Sequence, residues 1–275
     1  MSAREARRAL GALVIGEESA IELPRAALLV AGEEYPDLDV GSYLDRLAQL
    51  GATFRDRLRS AEELDARRRV AILNALLFGE EGFRGNGVNY YDSRNSYLNE
   101  VLDRRLGIPI TLSLVYIEVA RQGGLHLFGI GLPGHFIVGG TGLLIDPFNC
   151  GQLLNRTDCQ ELLQRAYGAS AELQPEHLAP TPPRHILARL IANLKVAYQI
   201  KGDLVRAVRH SEQLSIVLPT STELRERGLL RYQLGDLAGA AAELSRYLEL
   251  EPAAADANAI RHQLELIQQL HERRN

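Results

Sequence analysis

The chain has 275 residues, more than one average domain requires. Apolar residues make up 46% and charged residues 24%, which is the balance of a globular protein with a buried core and excludes extensive disorder. The formal net charge is −4 and the Lys and Arg residues are scattered, so we expect no nucleic-acid partner.

The cysteine content and the N-terminal segment point to a soluble protein of a reducing compartment. Cys150 and Cys159 are too few for a disulfide framework, and neither belongs to a C-x-x-C motif. We therefore expect a cytoplasmic protein with no bound metal and no cofactor. The apolar run 9–16 is short and is followed at once by Glu17 and Glu18, so it predicts an amphipathic helix rather than a signal peptide or a membrane span.

Three or four helices are predicted before residue 79. Leu23-Pro24 opens a helix over 25–34, because proline is favoured in the first turn of a helix. The next two predicted helices bury one stripe each, marked by Leu44 and Leu47 in the first and by Val70 and Leu73 in the second, which runs from Ser60 to Phe78. Residues 1–79 thus form the helical N-terminal part of the protein.

A mixed α/β core is predicted over residues 80–175. The glycine-rich segment 80–91 is typical of a loop, and Asn95-Ser96 can cap the helix that follows. The helix predicted over 111–122 is apolar on nearly every side, so we place it in the centre of the domain. Short strands separated by glycine-rich turns come next, at 125–131, 135–138 and 143–145.

The last part of the chain, residues 184–275, contains a repeat. Gly202-Asp203-Leu204 and Gly235-Asp236-Leu237 lie 33 residues apart, and so do two alanines and two prolines. This period, with Gly-Asp at the turn between two helices, is typical of tetratricopeptide repeats. Two such repeats leave apolar surface uncovered, so we expect the helix over 257–272 to cap one end and the core domain to cover the other.

One hairpin places a histidine beside an aspartate. If the run Gly139-Gly140-Thr141-Gly142 turns about its centre, His135 lies directly opposite Asp146. Opposed residues have Cβ atoms about 5 Å apart, close enough for the carboxylate to accept a hydrogen bond from the imidazole. The spacing alone is equally compatible with a catalytic pair and with a buried structural pair.

The motifs around this hairpin resemble a known superfamily. The segments GIPITLSLVYIEVARQGGL, PGHFIV and LLIDPFN look like the transglutaminase-like superfamily, and NSYLNEVLDRRLGIPITLSLVY with GLPGHF, IDPFN and C-terminal repeats resembles the SirB family of bacterial proteins. The resemblance implies an α+β fold with a transglutaminase/papain-like core, followed by an all-α domain. It also implies a cysteine at the start of the central helix, with His135 and Asp146 as the other members of a triad.

That cysteine is absent from this chain. The resemblance places it near Pro109, and the only hydroxyls at this helix start are those of Thr111 and Ser113. A hydroxyl is much harder to ionise than a thiol, so helix capping by Thr111 and core packing by Ser113 are the simpler roles. Cys150 follows the last strand, where no helix dipole activates it, and Cys159 falls in the predicted helix 157–167.

Two further groups of residues are candidates for binding. A polar and aromatic group before the central helix could line a cleft beside His135, although capping and packing explain it equally well; it comprises Tyr90, Tyr91, Asn95, Tyr97 and Asn99. In tetratricopeptide geometry the first helix of each repeat lines a groove, and the residues predicted to face a ligand there are Arg189, Gln199, Arg225 and Tyr232.

Three functions are compatible with this sequence. The first is a non-catalytic or weakly catalytic relative of thiol enzymes that binds a protein or peptide partner, with the repeats adding contacts. The second is a hydrolase or acyltransferase with Thr111 or Ser113 as nucleophile, His135 as base and Asp146 as its orienting group. The third is a scaffold whose core only supports the repeats. The oligomeric state is left open.

Overall fold

The computed structural model describes residues 2–59 and 64–274 of the chain. It consists of two compact units, Met1–Leu190 and Ile191–Asn275, and the boundary between them falls within one long helix. In the described ranges no helix is both long enough and apolar enough to cross a membrane. The first unit is α+β and the second is all-α, so the predicted fold class is confirmed.

Four helices come first in the chain, as predicted. The first begins with a capping box, in which the Ser2 hydroxyl accepts from the Glu5 amide and the Glu5 carboxylate accepts from the Ser2 amide. The predicted start of the fourth helix at Ser60 lies outside the described residues. A π-helical segment, Ala75–Glu80, continues that helix. The four are α1 (Ala3–Val14), α2 (Leu23–Ala31), α3 (Val40–Arg59) and α4 (Ala66–Asn74).

A short parallel strand pair leads into the central helix. Strands β1 (Arg84–Gly85) and β2 (Leu106–Gly107) flank helix α5 (Leu98–Arg104), and they join the glycine-rich loop to the start of helix α6 (Pro109–Gln122). Most side chains of α6 are buried, and it packs against α3 and against the main sheet. The predicted buried helix is therefore confirmed, and it begins two residues earlier than expected.

The main sheet is a four-stranded antiparallel meander, in which strands that follow one another in the chain are neighbours in the sheet. The fourth strand was not predicted. Helix α7 (Arg156–Tyr167) follows the sheet, and its Cys159 and Leu163 are buried against Ile130 and Ile137. The strands are β3 (Phe128–Ile130), β4 (Ile137–Gly140), β5 (Leu143–Asp146) and β6 (Gln152–Leu154).

The register of the β4–β5 hairpin differs from the predicted one by two residues. Val138 faces Ile145, and Gly140 faces Leu143, which leaves Thr141 and Gly142 as a two-residue turn. Both turn residues have positive φ, at 52° and 78°, as a type I′ hairpin requires. The prediction that His135 lies directly opposite Asp146 within this ladder is therefore wrong, and His135 precedes β4.

The second unit consists of helix pairs that repeat in detail. Asp203 and Asp236 each cap the helix that follows, by accepting from the backbone amide three residues on. Gly202 and Gly235, just before them, have φ of 74° and 86°. The matching turns confirm the predicted 33-residue repeat. The helices are α8 (Pro183–Ile200), which begins in the first unit, α9 (Leu204–Val217), α10 (Ser221–Leu234), α11 (Leu237–Leu250) and α12 (Ala257–Arg274).

Candidate functional site

His135 is presented by a tight turn that precedes β4. The His135 amide donates to the Leu132 carbonyl oxygen at 2.9 Å, with Pro133 and Gly134 at the two central positions. Gly134 has φ of 75°, so the turn is of type II, in which proline and glycine favour these two positions. A side chain on Gly134 would also overlap with Ala166 of helix α7. The type II turn and its close contact with helix α7 thus both hold the His135 backbone in place.

Asp146, at the end of β5, holds the imidazole. Its Oδ2 lies 2.8 Å from His135 Nε2 and accepts from Asn149 Nδ2 at 2.7 Å. Its Oδ1 accepts from the amides of Phe148 and Asn149 at 3.0 and 3.4 Å. The predicted contact between His135 and Asp146 is therefore present, although the register that suggested it is not. A shift of two residues keeps each side chain on the same face of the sheet.

The surroundings of Asp146 keep it ionised. Burial opposes its charge, but hydrogen bonds from His135 and Asn149 outweigh that effect and lower the pKa of Asp146. The Asp146 side chain is 1% exposed and that of His135 is 12% exposed. Because Nε2 faces Asp146, Nδ1 is the ring nitrogen available to a ligand or to a reacting group.

A series of aromatic contacts runs from the imidazole through Phe148 to two tyrosines. The Phe148 ring lies edge-on to His135, with centroids 6.1 Å apart, and Tyr90 packs edge-on to Phe148 at 6.3 Å. Tyr91 in turn contacts Tyr90. Gly85 allows this approach, because a Cβ at that position would lie 2.6 Å from the Phe148 ring. Tyr90 and Tyr91 are 37% and 54% exposed, so the pair borders an accessible aromatic surface.

The loop after Asp146 is tied to helix α6 through Asn74. Asn74 Nδ2 donates to the Gly151 carbonyl oxygen at 2.9 Å, and the Tyr116 hydroxyl donates to Asn74 Oδ1 at 2.8 Å. Gly151 has φ of 74°, and a Cβ there would overlap with the Asn74 side chain. The backbone that follows Asp146 is thus fixed against the central helix.

Asn95 and Tyr97 are buried, which fits the capping and packing alternative rather than a cleft beside His135. Asn95 Nδ2 donates to the carbonyl oxygens of Asn89 and Tyr90, so Asn95 shapes the loop that presents the two tyrosines. Tyr97 packs against the ring of Tyr35.

Asn99, the third polar candidate of this segment, is also buried. It lies in the wall of a different cleft, of about 520 Å³, which is lined by Tyr35, Tyr43 and several aspartates. A role beside the histidine is therefore not supported for this residue.

The two candidate hydroxyl nucleophiles lie in the first turns of α6, as predicted, and both are fully buried. Thr111 Oγ1 accepts from the Ile108 amide at 3.1 Å and lies 2.8 Å from the Asn95 carbonyl oxygen, to which it donates. These bonds cap the helix and tie it to the preceding segment. Ser113 Oγ has no hydrogen-bond partner among the described residues.

The cysteines occupy different environments, and neither begins a helix. Cys159 is buried within α7, and burial raises the pKa of its thiol to about 11. Cys150 is exposed and has φ of 54°, at the end of a short 3-10 turn after β5. Both are free thiols. Among the described residues, no group of three or more His, Cys, Asp or Glu side chains is arranged to hold a metal ion.

The four residues predicted to line the repeat groove lie in different environments. Arg189 does not face a groove: its guanidinium donates to the carbonyl oxygens of Leu132 and His135 in the first unit. Arg225 is paired with Asp256 at 2.6 Å. Tyr232 is partly buried against the core of the last two helices, and Gln199 is exposed. A binding role for these three residues of the second unit stays a prediction.

Phe148, Asn149 and the true position of Arg189 were missed by the sequence reasoning. Phe148 and Asn149 lie in the quoted motif IDPFN, directly after Asp146, so their proximity to the pair was available as a signal. Arg189 carried no such signal, because it is separated from His135 by 54 positions.

Comparison with known proteins agrees with the motifs. Residues 41–192, more than half of the chain, match the transglutaminase-like superfamily, and residues 194–265 match the tetratricopeptide repeat. A UPF0162 protein of Xylella fastidiosa is 39% identical over 258 residues, which cover 90% of each chain. A UPF0162 protein of Pseudomonas aeruginosa is 32% identical over 253 residues, 90% of this chain and 89% of the relative.

A more distant relative is F-box only protein 21 of Mus musculus, which is 32% identical over 134 residues, 44% of this chain and 20% of that protein. No solved structure matches the chain. The relatives over nearly the full length are consistent with the SirB-like motifs. The chain belongs to the transglutaminase-like superfamily and, with its C-terminal tetratricopeptide repeats, to the UPF0162 family of bacterial proteins.

Proposed function

We propose that this protein is a non-catalytic, or at most weakly catalytic, transglutaminase-like protein that binds a peptide segment of a partner at the surface around His135. The binding surface belongs to the core over residues 80–175, which the helices of 1–79 support. The repeats over 184–275 add contacts with the same partner. The two free cysteines favour a cytoplasmic setting.

One observation carries this proposal. His135 and Asp146 are hydrogen-bonded to each other, whereas the two hydroxyls that could replace the expected cysteine are fully buried. Thr111 and Ser113 are 0% exposed, and the Thr111 hydroxyl is already committed to capping α6. A nucleophile must reach its substrate and give a proton to a base. The buried hydroxyls therefore disfavour the hydrolase or acyltransferase alternative.

The aromatic surface supports binding. Tyr90 and Tyr91 are large, partly exposed rings, and such rings supply much contact area at a low cost in conformational entropy. Tyr90 packs on Phe148, which contacts an imidazole whose Nδ1 can donate or accept a hydrogen bond. An extended peptide can stack on the rings while one of its backbone groups bonds Nδ1.

The proposal is tested by selecting peptides from a random displayed library on the wild-type protein. We expect the selected peptides to bind at least tenfold more weakly to a Tyr90→Ala/Tyr91→Ala variant, since each buried ring contributes about 1–2 kcal/mol. Val88→Ala is the matched control, because Val88 lies in the same loop and is 94% exposed. Equal binding to the double variant and to wild type would show that the surface is not used.

Catalysis is tested with a panel of peptide and amide substrates, comparing wild type with His135→Ala. We expect His135→Ala to hydrolyse them at the uncatalysed rate and wild type to be at most slightly faster. Rapid turnover by wild type that is lost in His135→Ala would instead establish the enzyme alternative.

A third test addresses the repeats. A variant with Arg225→Glu and Tyr232→Ala should lose partners that wild type recovers in a pull-down. Recovery of every partner by that variant contradicts groove recognition through these residues.

A further inference from the structure

Arg189 reaches from helix α8 to the turn that carries His135. Its Nη2 donates to the His135 carbonyl oxygen at 2.7 Å, and both Nη1 and Nη2 lie 3.3 Å from the Leu132 carbonyl oxygen. These are the first and last residues of the type II turn, so the guanidinium spans the turn that positions the imidazole. The guanidinium carbon also lies 5.5 Å from the centre of the Phe136 ring.

The charge of Arg189 is not neutralised by a carboxylate. Within the described ranges no Asp or Glu oxygen lies within ion-pair distance of it, and its partners are neutral carbonyl oxygens. Arg184, one turn earlier on the same helix, is instead paired with Glu18 at 3.1 Å. A partly buried cation without a counter-ion carries a desolvation cost that a bound anion would offset.

The neighbours of Arg189 belong to the same surface as the aromatic rings. Burial lowers the pKa of its guanidinium. The ring of His135, whose carbonyl oxygen Arg189 bonds, contacts Phe148, which in turn contacts Tyr90. Tyr167 packs beside Gly134 of the same turn and is 64% exposed. Arg189 thus bonds the turn that connects these aromatic side chains.

We infer that Arg189, at the turn that carries His135, forms a subsite for a carboxylate of the bound peptide. This inference rests on the proposed function and names the chemical class of its ligand. The guanidinium supplies the charge and its two N–H groups that are not bonded to protein.

A carboxylate fits this site better than a phosphate does. The subsite offers one cation, which balances the single charge of a carboxylate, whereas a phosphate monoester carries nearly two negative charges near neutral pH. The carboxylate can come from the end of a peptide chain or from an acidic side chain, and the chemistry of recognition is the same for both.

The test uses the ¹⁵N-labelled full-length protein at neutral pH and follows the amide signals of residues 88–91 and 131–136. It is titrated with N-acetylphenylalanine and with N-acetylphenylalaninamide, which share an aromatic ring suited to the tyrosine surface and differ in the carboxylate. We expect about tenfold tighter binding of the carboxylate, the effect of one charge-assisted hydrogen bond. A third probe, N-acetylaspartylphenylalaninamide, shows whether a side-chain carboxylate is accepted as well as a chain end.

Substitutions test whether Arg189 is responsible for the preference for the carboxylate. Arg189→Gln removes the charge while its amide can still donate to the turn, so the preference for the carboxylate should disappear, and Arg189→Lys should keep most of it. Arg165→Gln is the control, because Arg165 is 72% exposed, lies two residues from Tyr167 and carries the same charge. A preference that survives in Arg189→Gln, or falls equally in Arg165→Gln, overturns the inference.

The wild-type titrations decide the question even if Arg189→Gln fails to fold. Equal affinity for the carboxylate and the amide overturns the carboxylate subsite and leaves peptide binding intact. If neither probe shifts any of these amide signals, peptide binding at this surface fails together with the subsite.

Discussion

The His135–Asp146 pair and the first turn of helix α6 are the two places where the resemblance to thiol enzymes leads us to expect catalytic groups, and they differ in access and in bonding. The imidazole is partly exposed and keeps Nδ1 available, whereas Thr111 and Ser113 are entirely enclosed. Asp146 also accepts from two backbone amides, so it stabilises its own loop whether or not His135 reacts. A histidine–aspartate contact can therefore have a structural role whether or not the site is catalytic.

The largest expected effect concerns Asp146. Asp146→Ala leaves two backbone amides and two side-chain groups without an acceptor, so the free energy of unfolding should fall by about 3 kcal/mol in urea denaturation. Asp37→Ala removes an exposed carboxylate and should change it by less than about 0.5 kcal/mol. Similar values for the two variants would mean that Asp146 does not hold its loop.

The first turn of helix α6 should respond less. Thr111→Val keeps the shape of the side chain but leaves the Ile108 amide unpaired, and should cost about 1.5 kcal/mol by the same measurement. Thr53→Val on α3 is the matched control, since Thr53 only donates to the Gln49 carbonyl oxygen near the surface. If Thr111→Val is as stable as wild type, the hydroxyl does not stabilise the helix by capping, and a role as a reacting group would have to be considered again.

Low pH should remove the stabilisation that ionised Asp146 provides. The pKa of Asp146 in the folded protein lies below its ordinary value of 3.8, so its contribution is complete above that value and is lost as pH falls through the folded pKa. The difference in unfolding free energy between wild type and Asp146→Asn should therefore not shrink between pH 7 and about 5, and should shrink below about pH 4. A difference that already shrinks between pH 7 and 5 would place the folded pKa above the ordinary value.

The smallest effect on the unfolding free energy, and one that can be stabilising, is expected for a substitution of Ser113. Ser113→Ala removes a buried hydroxyl that has no partner among the described residues, so the unfolding free energy should stay within about 0.5 kcal/mol of wild type or rise. A loss of more than about 1 kcal/mol would reveal an important bond at this hydroxyl and would reopen the case for Ser113 as a reacting group.

The hairpin shows how far the sequence could predict this site. The run 139–142 offers several positions for a two-residue turn, and the pattern does not choose among them. In the structure Gly139 stays in the strand because Phe128 and Ile130 pack over it, where a Cβ would lie 2.6 Å from Ile130. Tertiary packing therefore set the register, while the pairing of faces was predictable from the period of two.

The helices and strands were easier to predict from the sequence than the tertiary contacts between them. The apolar helix α6 and the Gly-Asp turns of the repeats are local patterns, and both were found. The site joins the loop before α5, the turn after β5 and, through Arg189 at the His135 carbonyl oxygen, helix α8, and no local sequence pattern indicates that these segments meet. The sequence left the packing of Asn95 and Tyr97 open for the same reason.

The Asn74 contact has a consequence for the evolution of these chains. Gly151 leaves no room for a side chain against Asn74, and Asn74 is also the acceptor for the Tyr116 hydroxyl. A relative with a larger residue at position 151 must shorten residue 74, and the tyrosine at 116 then loses its acceptor and is better replaced by phenylalanine. We therefore expect these three positions, far apart in the sequence, to covary among the members of the family.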